Sequence, residues 1–247
     1  MKQIKHVEGS AEIFVPVAEK VCKDMPVFFN PVMKFNRDVC ICLLQCIGRH
    51  LKVGDALAGT GIRAIRIAKE VADCDVFMND FSHDAFLLMK KNAKRNRVSA
   101  VISNKNAHDF LCQGFDYVDI DPFGSPNPFL DSAVRAVRNK GILAITATDT
   151  APLCGTYPKA CLRKYWAHTL KNPAMHETGI RILIRKVQLI GSQYDRALIP
   201  VFSHSTQHYF RVYFRLEKGK NDVDEVLRSH ELVRFGNKII GPLWTGQ

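Results

Sequence analysis

Apolar positions recur along this chain with the period of strands and the period of helices in turn, from about residue 51 onward. Short apolar runs that end at a turn are predicted strands: "KVGDALA", "CDVFMND", "AVISNKNA", "FDYVDID" and "GILAITATD". The segments between them have apolar residues three and four positions apart and are predicted helices: "GIRAIRIAKEVA", "SHDAFLLMKKNAKRN", which Ser82 caps, and "NPFLDSAVRAVRN". This order predicts an α/β fold, an open parallel sheet with helices on both faces.

The segments before and after this series follow other patterns. Up to about Met33, apolar runs interrupted by prolines predict hairpins or extended segments, and "NRDVCICLLQCIGRH" then predicts a helix. After the series come a predicted amphipathic helix, "ETGIRILIRKVQLIGSQYD", and two alternating, antiparallel strands, "ALIPVFSH" and "HYFRVYFRLEKG". We expect one domain over residues 1–218, with its N-terminal extension, and a linker with the start of a truncated domain over residues 219–247.

Composition and charge narrow the class of protein. The chain has 247 residues, of which 47% are hydrophobic and 24% charged, as in an ordinary folded soluble protein. No secretory signal or membrane span is visible, and the eight cysteines do not suggest a disulfide framework, so we expect a cytoplasmic protein. The 35 Lys and Arg against 24 Asp and Glu give a net charge of +11, which favours a nucleic-acid partner over a merely solvated basic surface.

A glycine turn with flanking acids is the first candidate site. In "DALAGTGIRA", Asp55 lies in a predicted strand, and Gly59 and Gly61 let the backbone approach a ligand beyond the end of that strand. Asp80 ends the next strand, where its carboxylate could take both hydroxyls of a ribose. The acid, the glycine turn and the second acid together favour S-adenosylmethionine. A nicotinamide cofactor and a tight turn without a ligand are the alternatives.

The second candidate site is "DIDPFGSP", where a buried strand stops at Asp121. The Asp121 carboxylate and the Pro122 carbonyl can accept the two N–H groups of an exocyclic amine on a nucleobase, and the carboxylate can receive the proton released in a transfer. Phe123 offers a face for the base, and Gly124 leaves room for it. A turn after a strand, without chemistry, is the alternative.

The stretch "VFFNPVMKFNRD" could complete these sites. The ring of Phe28 is a candidate for the other face of the base, although one phenylalanine in such a run is more often part of the core. Arg37 is a candidate for clamping a carboxylate, such as the methionine end of the cofactor. A base that is paired in its nucleic acid must leave the stack to enter such a pocket.

Several of these phrases occur together in one order and carry a resemblance. "FFNPVMKFNRD", "DALAGTGIRAIR", "MND", "DIDPFGSP", "TDTAPLCGTYP", "CLRKY", "HETGIRILI" and "GPLW" resemble the archaeal and eukaryotic tRNA guanine N2-dimethyltransferases that act at position 26. The similarity begins near "EGSAEIFVP" and covers nearly the whole chain. It implies a Rossmann-like class I methyltransferase domain that adds methyl groups from S-adenosylmethionine to the exocyclic N2 of guanine in tRNA, once and then again.

The resemblance also implies roles for residues at matching positions. Asp121 is the implied catalytic carboxylate, and Phe28 and Phe123 are implied to stack on the two sides of the base. The implied cofactor contacts are Arg37, Arg63 and Asp80, with Asn106 and Ala107 at the adenine. The family more often has aspartate where Asn106 stands, and its members continue past "GPLW" into a second domain that helps hold tRNA. We therefore expect a fragment or a shortened protein whose tRNA binding is completed by the missing domain or a separate chain.

Two other functions stay open at this point. One is an amino methyltransferase that acts on ribosomal RNA or DNA, and the other is a truncated tRNA-binding module without turnover. Neither the cysteines of "CICLLQC" nor the pair His204 and His208 has the spacing of a usual metal site, so we expect no metal. The basic run "KKNAKRNR" and the pair Arg163 and Lys164 are candidates for contact with tRNA phosphates, although a solvated surface explains the first equally well.

Overall fold

A computed structural model of the chain describes residues 2–17 and 25–246, which form two compact units, Met1–Asp119 and Ile120–Gln247. The strands of the main sheet have the order β5-β4-β3-β6-β7-β9-β8, and all seven are defined below. The sheet is mixed, because the pairs among β3, β4, β5 and β6 are parallel and the pairs that β9 makes with β7 and β8 are antiparallel. The predicted fold class is confirmed.

The first unit begins with an antiparallel hairpin, as the proline-interrupted apolar runs predict. The α/β series follows it and ends at β6, whose six residues are all buried, as expected for a strand covered on both faces. The elements are β1 (Gln3–Glu8), β2 (Ala11–Pro16), α1 (Lys34–Gln45), β3 (Leu51–Asp55), α2 (Ile62–Glu70), β4 (Cys74–Asn79), α3 (His83–Asn96), β5 (Val101–Ser103), α4 (Ala107–Phe110) and β6 (Phe115–Ile120).

The predicted cap of α3 is confirmed, since the Ser82 hydroxyl accepts a hydrogen bond from the backbone N–H of Ala85 at 3.4 Å. The hairpin is attached to this helix by two asparagine side chains. Asn92 pairs with both backbone groups of Phe14, and Asn96 pairs with both backbone groups of Glu12. The free edge of β2 is thereby hydrogen-bonded to side chains of a helix instead of another strand.

The second unit contains the long antiparallel strands predicted near the end of the chain. A short 3₁₀ turn, Asn127–Phe129, opens its first helix. The elements are α5 (Leu130–Ala136), β7 (Val137–Ala147), α6 (Thr150–Leu153), α7 (Pro158–Tyr165), α8 (Met175–Ser192), β8 (Arg196–Thr206), β9 (Tyr209–Lys218), α9 (Lys220–Arg228), β10 (His230–Phe235) and β11 (Lys238–Trp244).

One predicted boundary is wrong. The apolar spacing of "NPFLDSAVRAVRN" predicts a helix to Asn139, but α5 ends at Ala136 and β7 begins at the next residue. The guanidinium of Arg196 explains the early end, because its Nη1 donates to the carbonyl oxygens of Val134 at 2.9 Å and Val137 at 2.6 Å. A side chain from β8 thus satisfies backbone acceptors at the end of the helix.

Residues 230–244 form a hairpin, β10 and β11, that the sequence does not predict. It contacts earlier parts of its own unit: His168 and Gly241 exchange two backbone hydrogen bonds of 2.7 Å, and Arg181 donates to the carbonyl of Trp244 at 3.1 Å. Ile240 and Leu243 are buried. The domain boundary expected after residue 218 stays a prediction. In the part of the chain that the structure describes, no helix combines the length and apolar character needed to cross a bilayer.

Candidate functional site

The glycine turn follows β3 and leads directly into α2. Gly59 and Gly61 have φ angles of +54° and +79°, a left-handed conformation that favours glycine at both positions. A β-carbon on Gly59 would lie 2.9 Å from the carbonyl oxygen of Phe28, which leaves no space for a side chain there. The turn thus packs closely against the backbone at Phe28 and leads into a helix N-terminus, which is the position of a cofactor loop in such a sheet.

Asp80 holds the turn from the end of β4. One oxygen of its carboxylate accepts from the N–H of Gly59 at 2.9 Å, and the other accepts from the N–H of Ser82 at 2.9 Å. Burial raises the pKa of Asp80, while these two hydrogen bonds favour its ionised form. Each carboxylate oxygen keeps a further lone pair for a ligand hydroxyl, so the predicted ribose contact remains compatible with the geometry.

Two asparagines that the sequence analysis misses hold the loops around this turn. Asn79, fully buried, donates to the carbonyls of Ala56 at 3.2 Å and Lys105 at 3.0 Å. Asn92, also fully buried, donates to the carbonyl of Thr60 at 2.9 Å in addition to its bonds with β2. Asn79 lies within the phrase "MND", which indicates no role for it, and no motif marks Asn92. A polar side chain on the inward face of a predicted strand or helix is the one available signal.

The predicted cofactor residues Arg37 and Arg63 are both buried and paired inside the first unit. Arg37 forms a two-point contact with Glu8, with both nitrogen–oxygen distances at 2.7 Å. Arg63 donates to the side-chain oxygen of Asn36 at 2.8 Å and lies 3.4 Å from the Asp119 carboxylate. Arg37 therefore does clamp a carboxylate, but here it is one from β1. Its contact with a cofactor stays a prediction, as does that of Arg63.

Glu8 connects the hairpin with two helices through buried ion pairs. Besides Arg37 of α1, it pairs with Arg66 of α2 at 2.9 Å, and Arg66 also contacts Asp38 and Glu70. Burial opposes the ionisation of Glu8, but the hydrogen bonds and charges of the two arginines outweigh it and lower its pKa to about 2. The sequence analysis does not identify Glu8, since neither partner is near it in the chain.

The remaining predicted residues of the first unit lie at loop and helix starts. Asn106 caps α4, and its side-chain oxygen accepts from the N–H of His108 at 3.0 Å. Ala107 is buried and Asp55, the last residue of β3, is buried as well. Phe28 is 38% exposed, unlike its buried neighbour Phe29, so its ring is available to a ligand. The adenine contact of Asn106 and the stacking role of Phe28 stay predictions.

In the second unit, the loop from Asp121 to Gly124 directly follows β6, and we call it the acceptor loop. Gly124 has a φ of +88°, and a β-carbon there would meet nothing within 4 Å, so the glycine leaves space beside Phe123. Phe123 is 60% exposed, whereas Pro122 is buried. An exposed aromatic ring on a loop whose proline is buried is a surface available for stacking.

Side chains from later in the chain fix the acceptor loop. The N–H of Gly124 donates to the Thr148 hydroxyl at 2.7 Å, and the N–H of Thr148 donates to the Gly124 carbonyl at 3.0 Å. Ser125, the next residue, lies 3.0 Å from the hydroxyl of Tyr165, which donates to Asp149 at 2.6 Å. Burial and the nearby Asp149 raise the pKa of Tyr165, so this hydroxyl keeps its proton.

Comparison with known proteins identifies the family. A family model described as N2,N2-dimethylguanosine tRNA methyltransferase matches residues 9–241. The chain belongs to this family. It is 44% identical over 241 residues to the tRNA (guanine(26)-N(2)/guanine(27)-N(2))-dimethyltransferase of Aquifex aeolicus, which covers 92% of this chain and 62% of that protein. It is 45% identical over 230 residues to the tRNA (guanine(26)-N(2))-dimethyltransferase of Methanothermobacter thermautotrophicus, covering 90% and 60%.

A solved member of the family has the same fold. The structure of Trm1 from Pyrococcus horikoshii with S-adenosyl-L-methionine is 36% identical, has a TM-score of 0.89, and is matched over 98% of this chain and 73% of that one. The resemblance inferred from the motifs is confirmed. The chain spans 62% and 60% of the length of the first two curated relatives.

Among the described residues, no group of three or more His, Cys, Asp and Glu side chains is placed to hold a metal ion. The expectation that the chain needs no metal stays a prediction, because it concerns the reaction and not only the side chains. The roles of Asp121, Pro122, Phe123 and the cofactor residues of the first unit likewise come from the motifs and stay predictions.

Proposed function

We propose that this chain is a methyltransferase that adds methyl groups from S-adenosylmethionine to the exocyclic N2 of guanine 26 in tRNA, first one and then a second. The observation that carries the proposal is the family match over residues 9–241, with the acceptor loop "DPFG" and the glycine turn both inside it. The alternative substrates, ribosomal RNA or DNA, have no comparable support.

The first unit contains the types of residue that are suited to binding the cofactor. Gly59 and Gly61 form a left-handed turn that leads into α2, and Asp80 presents a half-buried carboxylate beside it. The residues proposed to hold the cofactor are those of the predicted set: Arg37, Asp55, Gly59, Gly61, Arg63, Asp80, Asn106 and Ala107. When bound, S-adenosylmethionine supplies a methyl group on a positively charged sulfur.

The acceptor loop is proposed to prepare the amine for transfer. The guanine N2 lone pair is delocalised into the ring, so the amine is a poor nucleophile and needs to be held in line. In the first transfer the Asp121 carboxylate and the Pro122 carbonyl accept its two N–H groups, and in the second one of them accepts the N–H that remains. In each transfer the carbon–nitrogen bond forms as the carbon–sulfur bond of the cofactor breaks, and Asp121 receives the proton that leaves the nitrogen. Phe123 stacks on the base, which must first leave its helical stack, and Phe28 is proposed as a second stacking ring.

The proposal extends to the rest of the predicted organisation. Residues 1–218 are proposed to carry the reaction, and residues 219–247 are proposed to begin a further domain. The part of the relatives that this chain does not span is proposed to help hold tRNA. Such a further domain, or a separate chain in its place, would therefore raise the affinity of this chain for tRNA. The cytoplasmic location inferred from the sequence stays a prediction.

The decisive experiment is methyl transfer to an unmodified tRNA transcript at low salt, with mass spectrometry of the digested nucleosides. We expect N2-methylguanosine and N2,N2-dimethylguanosine with the parent protein, and a loss of rate of at least about 10²-fold with Asp121→Ala, because the amine loses both its positioning group and its proton acceptor. A transcript in which guanine 26 is replaced by adenine is the matched substrate control and should give no product.

Three outcomes would contradict the proposal in different ways. Equal rates for the parent and Asp121→Ala would remove Asp121 from the reaction. Product formed on the control transcript would mean a different target base. Binding of tRNA without any product, while the cofactor also binds, would support a tRNA-binding module without turnover.

A further inference from the structure

Helix α7 presents one basic and aromatic face to solvent. Its buried residues, Cys161 and Tyr165, lie four positions apart and face the core of the second unit. The opposite side carries three exposed residues at positions i, i+3 and i+4, and two exposed aromatic residues flank the helix, Tyr157 just before it and Trp166, in a left-handed conformation, just after it. We call this set the α7 stripe: Tyr157, Lys159, Leu162, Arg163 and Trp166. Tyr157 is 61% exposed and Trp166 is 46% exposed.

The stripe lies in a segment of the chain whose charged residues are all basic. The segment from Thr150 to His176 contains no aspartate or glutamate and four basic residues: Lys159, Arg163, Lys164 and Lys171. Of these, Lys164 pairs with Asp149 at 3.3 Å, at the edge of the segment. A further cation, the buried Lys186, lies over the indole ring of Trp166, 2.8 Å from its centroid. A surface with this composition attracts a polyanion and offers rings for stacking.

Helix α7 is also hydrogen-bonded to the segment that follows the acceptor loop. Tyr165 contacts Ser125, as described above, and the side-chain amide of Asn127 donates to the carbonyl of Lys164 at 2.8 Å. Both contacts lie within six residues of Asp121 in sequence. The position of the stripe is thus fixed relative to the loop proposed to receive the guanine.

We propose that the α7 stripe binds the RNA backbone next to the target nucleotide, with Lys159 and Arg163 on phosphates and Tyr157 or Trp166 stacked on an unpaired base. This inference rests on the proposed function, since it assigns a surface to that substrate. RNA fits better than an acidic protein or a membrane, because the stripe joins phosphate-binding cations to flat rings and has one aliphatic side chain, Leu162. A nucleotide that leaves its stack also exposes neighbouring bases to such rings.

The test compares two pairs of exposed basic residues. Lys159→Gln/Arg163→Gln neutralises the stripe, and Arg138→Gln/Lys140→Gln removes an equal charge from β7 of the same unit. All four wild-type side chains are exposed. The affinity of each variant for an unmodified tRNA transcript is measured at several salt concentrations. Binding of S-adenosylmethionine is measured alongside to show that each variant remains folded.

We expect the stripe variant to bind tRNA at least about tenfold more weakly at low salt, with the slope of log affinity against log salt reduced by about 1.4 to 1.8, as for two lost phosphate contacts. The β7 variant should change little, and neither variant should change cofactor binding. An α7 variant with the affinity and slope of the parent would overturn the inference, as would an equal or larger loss in the β7 variant.

Tryptophan fluorescence gives a second measurement that does not depend on charge. The chain has two tryptophans, Trp166 and Trp244, so a Trp244→Phe protein reports on Trp166 alone. We expect tRNA to quench this signal through stacking or close approach, and no quenching at saturating tRNA would count against the stripe. If the parent methylates tRNA but these tests fail, only this inference is wrong; if the parent neither binds nor methylates tRNA, the proposed function fails with it.

Discussion

The glycine turn of the first unit and the acceptor loop of the second are fixed in different ways. Buried or half-buried side chains hold the turn from several directions: the half-buried carboxylate of Asp80 and the buried amide of Asn92 bond to its backbone, and the buried Asn79 bonds to the loops beside it. The acceptor loop is fixed at Gly124 by Thr148 and at Ser125 by Tyr165, while the ring of Phe123 is 60% exposed.

This difference suits the two ligands that we propose. A small cofactor gains affinity from a backbone that is already in its bound conformation, because little ordering entropy is lost on binding. A base that arrives attached to a large RNA needs a loop with a fixed anchor and an accessible ring. Substitutions in the first region should therefore change stability and cofactor affinity together, whereas substitutions in the second should change turnover with cofactor affinity preserved.

The largest effect is expected for Glu8→Gln. The change leaves the buried guanidinium groups of Arg37 and Arg66 without a carboxylate partner in β1, and breaking a buried ion pair costs about 3–5 kcal/mol. We expect the free energy of unfolding in urea at neutral pH to fall by about that amount. Affinity for S-adenosylmethionine should fall too, since Arg37 loses its fixed position.

Glu12→Gln is the matched control, because Glu12 lies on the same hairpin but its carboxylate makes exposed ion pairs with Lys5 and Arg95. Such exposed pairs contribute little to stability, so this variant should unfold close to the parent. Equal losses of unfolding free energy in the two variants would mean that the buried ion pairs of Glu8 stabilise the protein no more than the exposed ion pairs of Glu12.

The same carboxylate predicts a pH dependence. Its pKa in the folded protein is lowered from 4.5 to about 2, so its stabilisation is complete above 4.5 and is lost as the pH falls from there toward 2. The difference in unfolding free energy between the parent and Glu8→Gln should therefore shrink on going from pH 7 to pH 3. A difference that is independent of pH over this range would show that the charge of Glu8 is not the cause.

An intermediate effect is expected for Asn92→Ala, which removes the bonds to Phe14 and to Thr60. Leaving these buried backbone groups without partners should cost about 2–3 kcal/mol and weaken cofactor binding, because Thr60 lies between the two glycines of the turn. Isothermal titration with S-adenosylmethionine and urea unfolding measure the two quantities.

Asn96→Ala separates the two roles of Asn92. Asn96 makes the same pair of bonds to the hairpin, through Glu12, but no bond to the turn. We expect it to destabilise the protein while leaving cofactor affinity close to that of the parent. If the two variants weaken cofactor binding equally, the bond to Thr60 has no specific role in holding the turn.

The sequence predicts the parts of this molecule that local patterns determine. The glycine turn and the "DPFG" loop are each marked by a few adjacent residues, and the strands before them are predicted to within a few residues, since β3 ends at Asp55 and β6 at Ile120. The family follows from the order of such phrases. Periodicity also predicts the antiparallel strands β8 and β9, whose alternation is carried by their own residues.

The contacts that fix these parts are not predictable in this way, because their partners are distant in sequence. Asn92 and Phe14 are 78 residues apart, and Arg196 ends helix α5 from 59 residues beyond Val137. Nothing in "KKNAKRNR" distinguishes the buried asparagine from the solvated cations around it. Likewise, the motif gives no indication that Arg37 pairs with Glu8, and the predicted contact of Arg37 with the cofactor stays a prediction.

The smallest effect on stability is expected at the acceptor loop. Thr148→Val keeps the shape of the side chain but removes the hydroxyl that accepts from the N–H of Gly124, which should cost about 1 kcal/mol. Because this bond anchors the loop and not the cofactor turn, we expect kcat for tRNA methylation to fall severalfold with the Kd for S-adenosylmethionine unchanged. Thr148→Ser retains the hydroxyl and should restore kcat. If the serine variant is as slow as the valine variant, the loop requires the methyl group of Thr148 and not the hydrogen bond. The claim that this hydrogen bond anchors the acceptor loop for turnover would then be wrong.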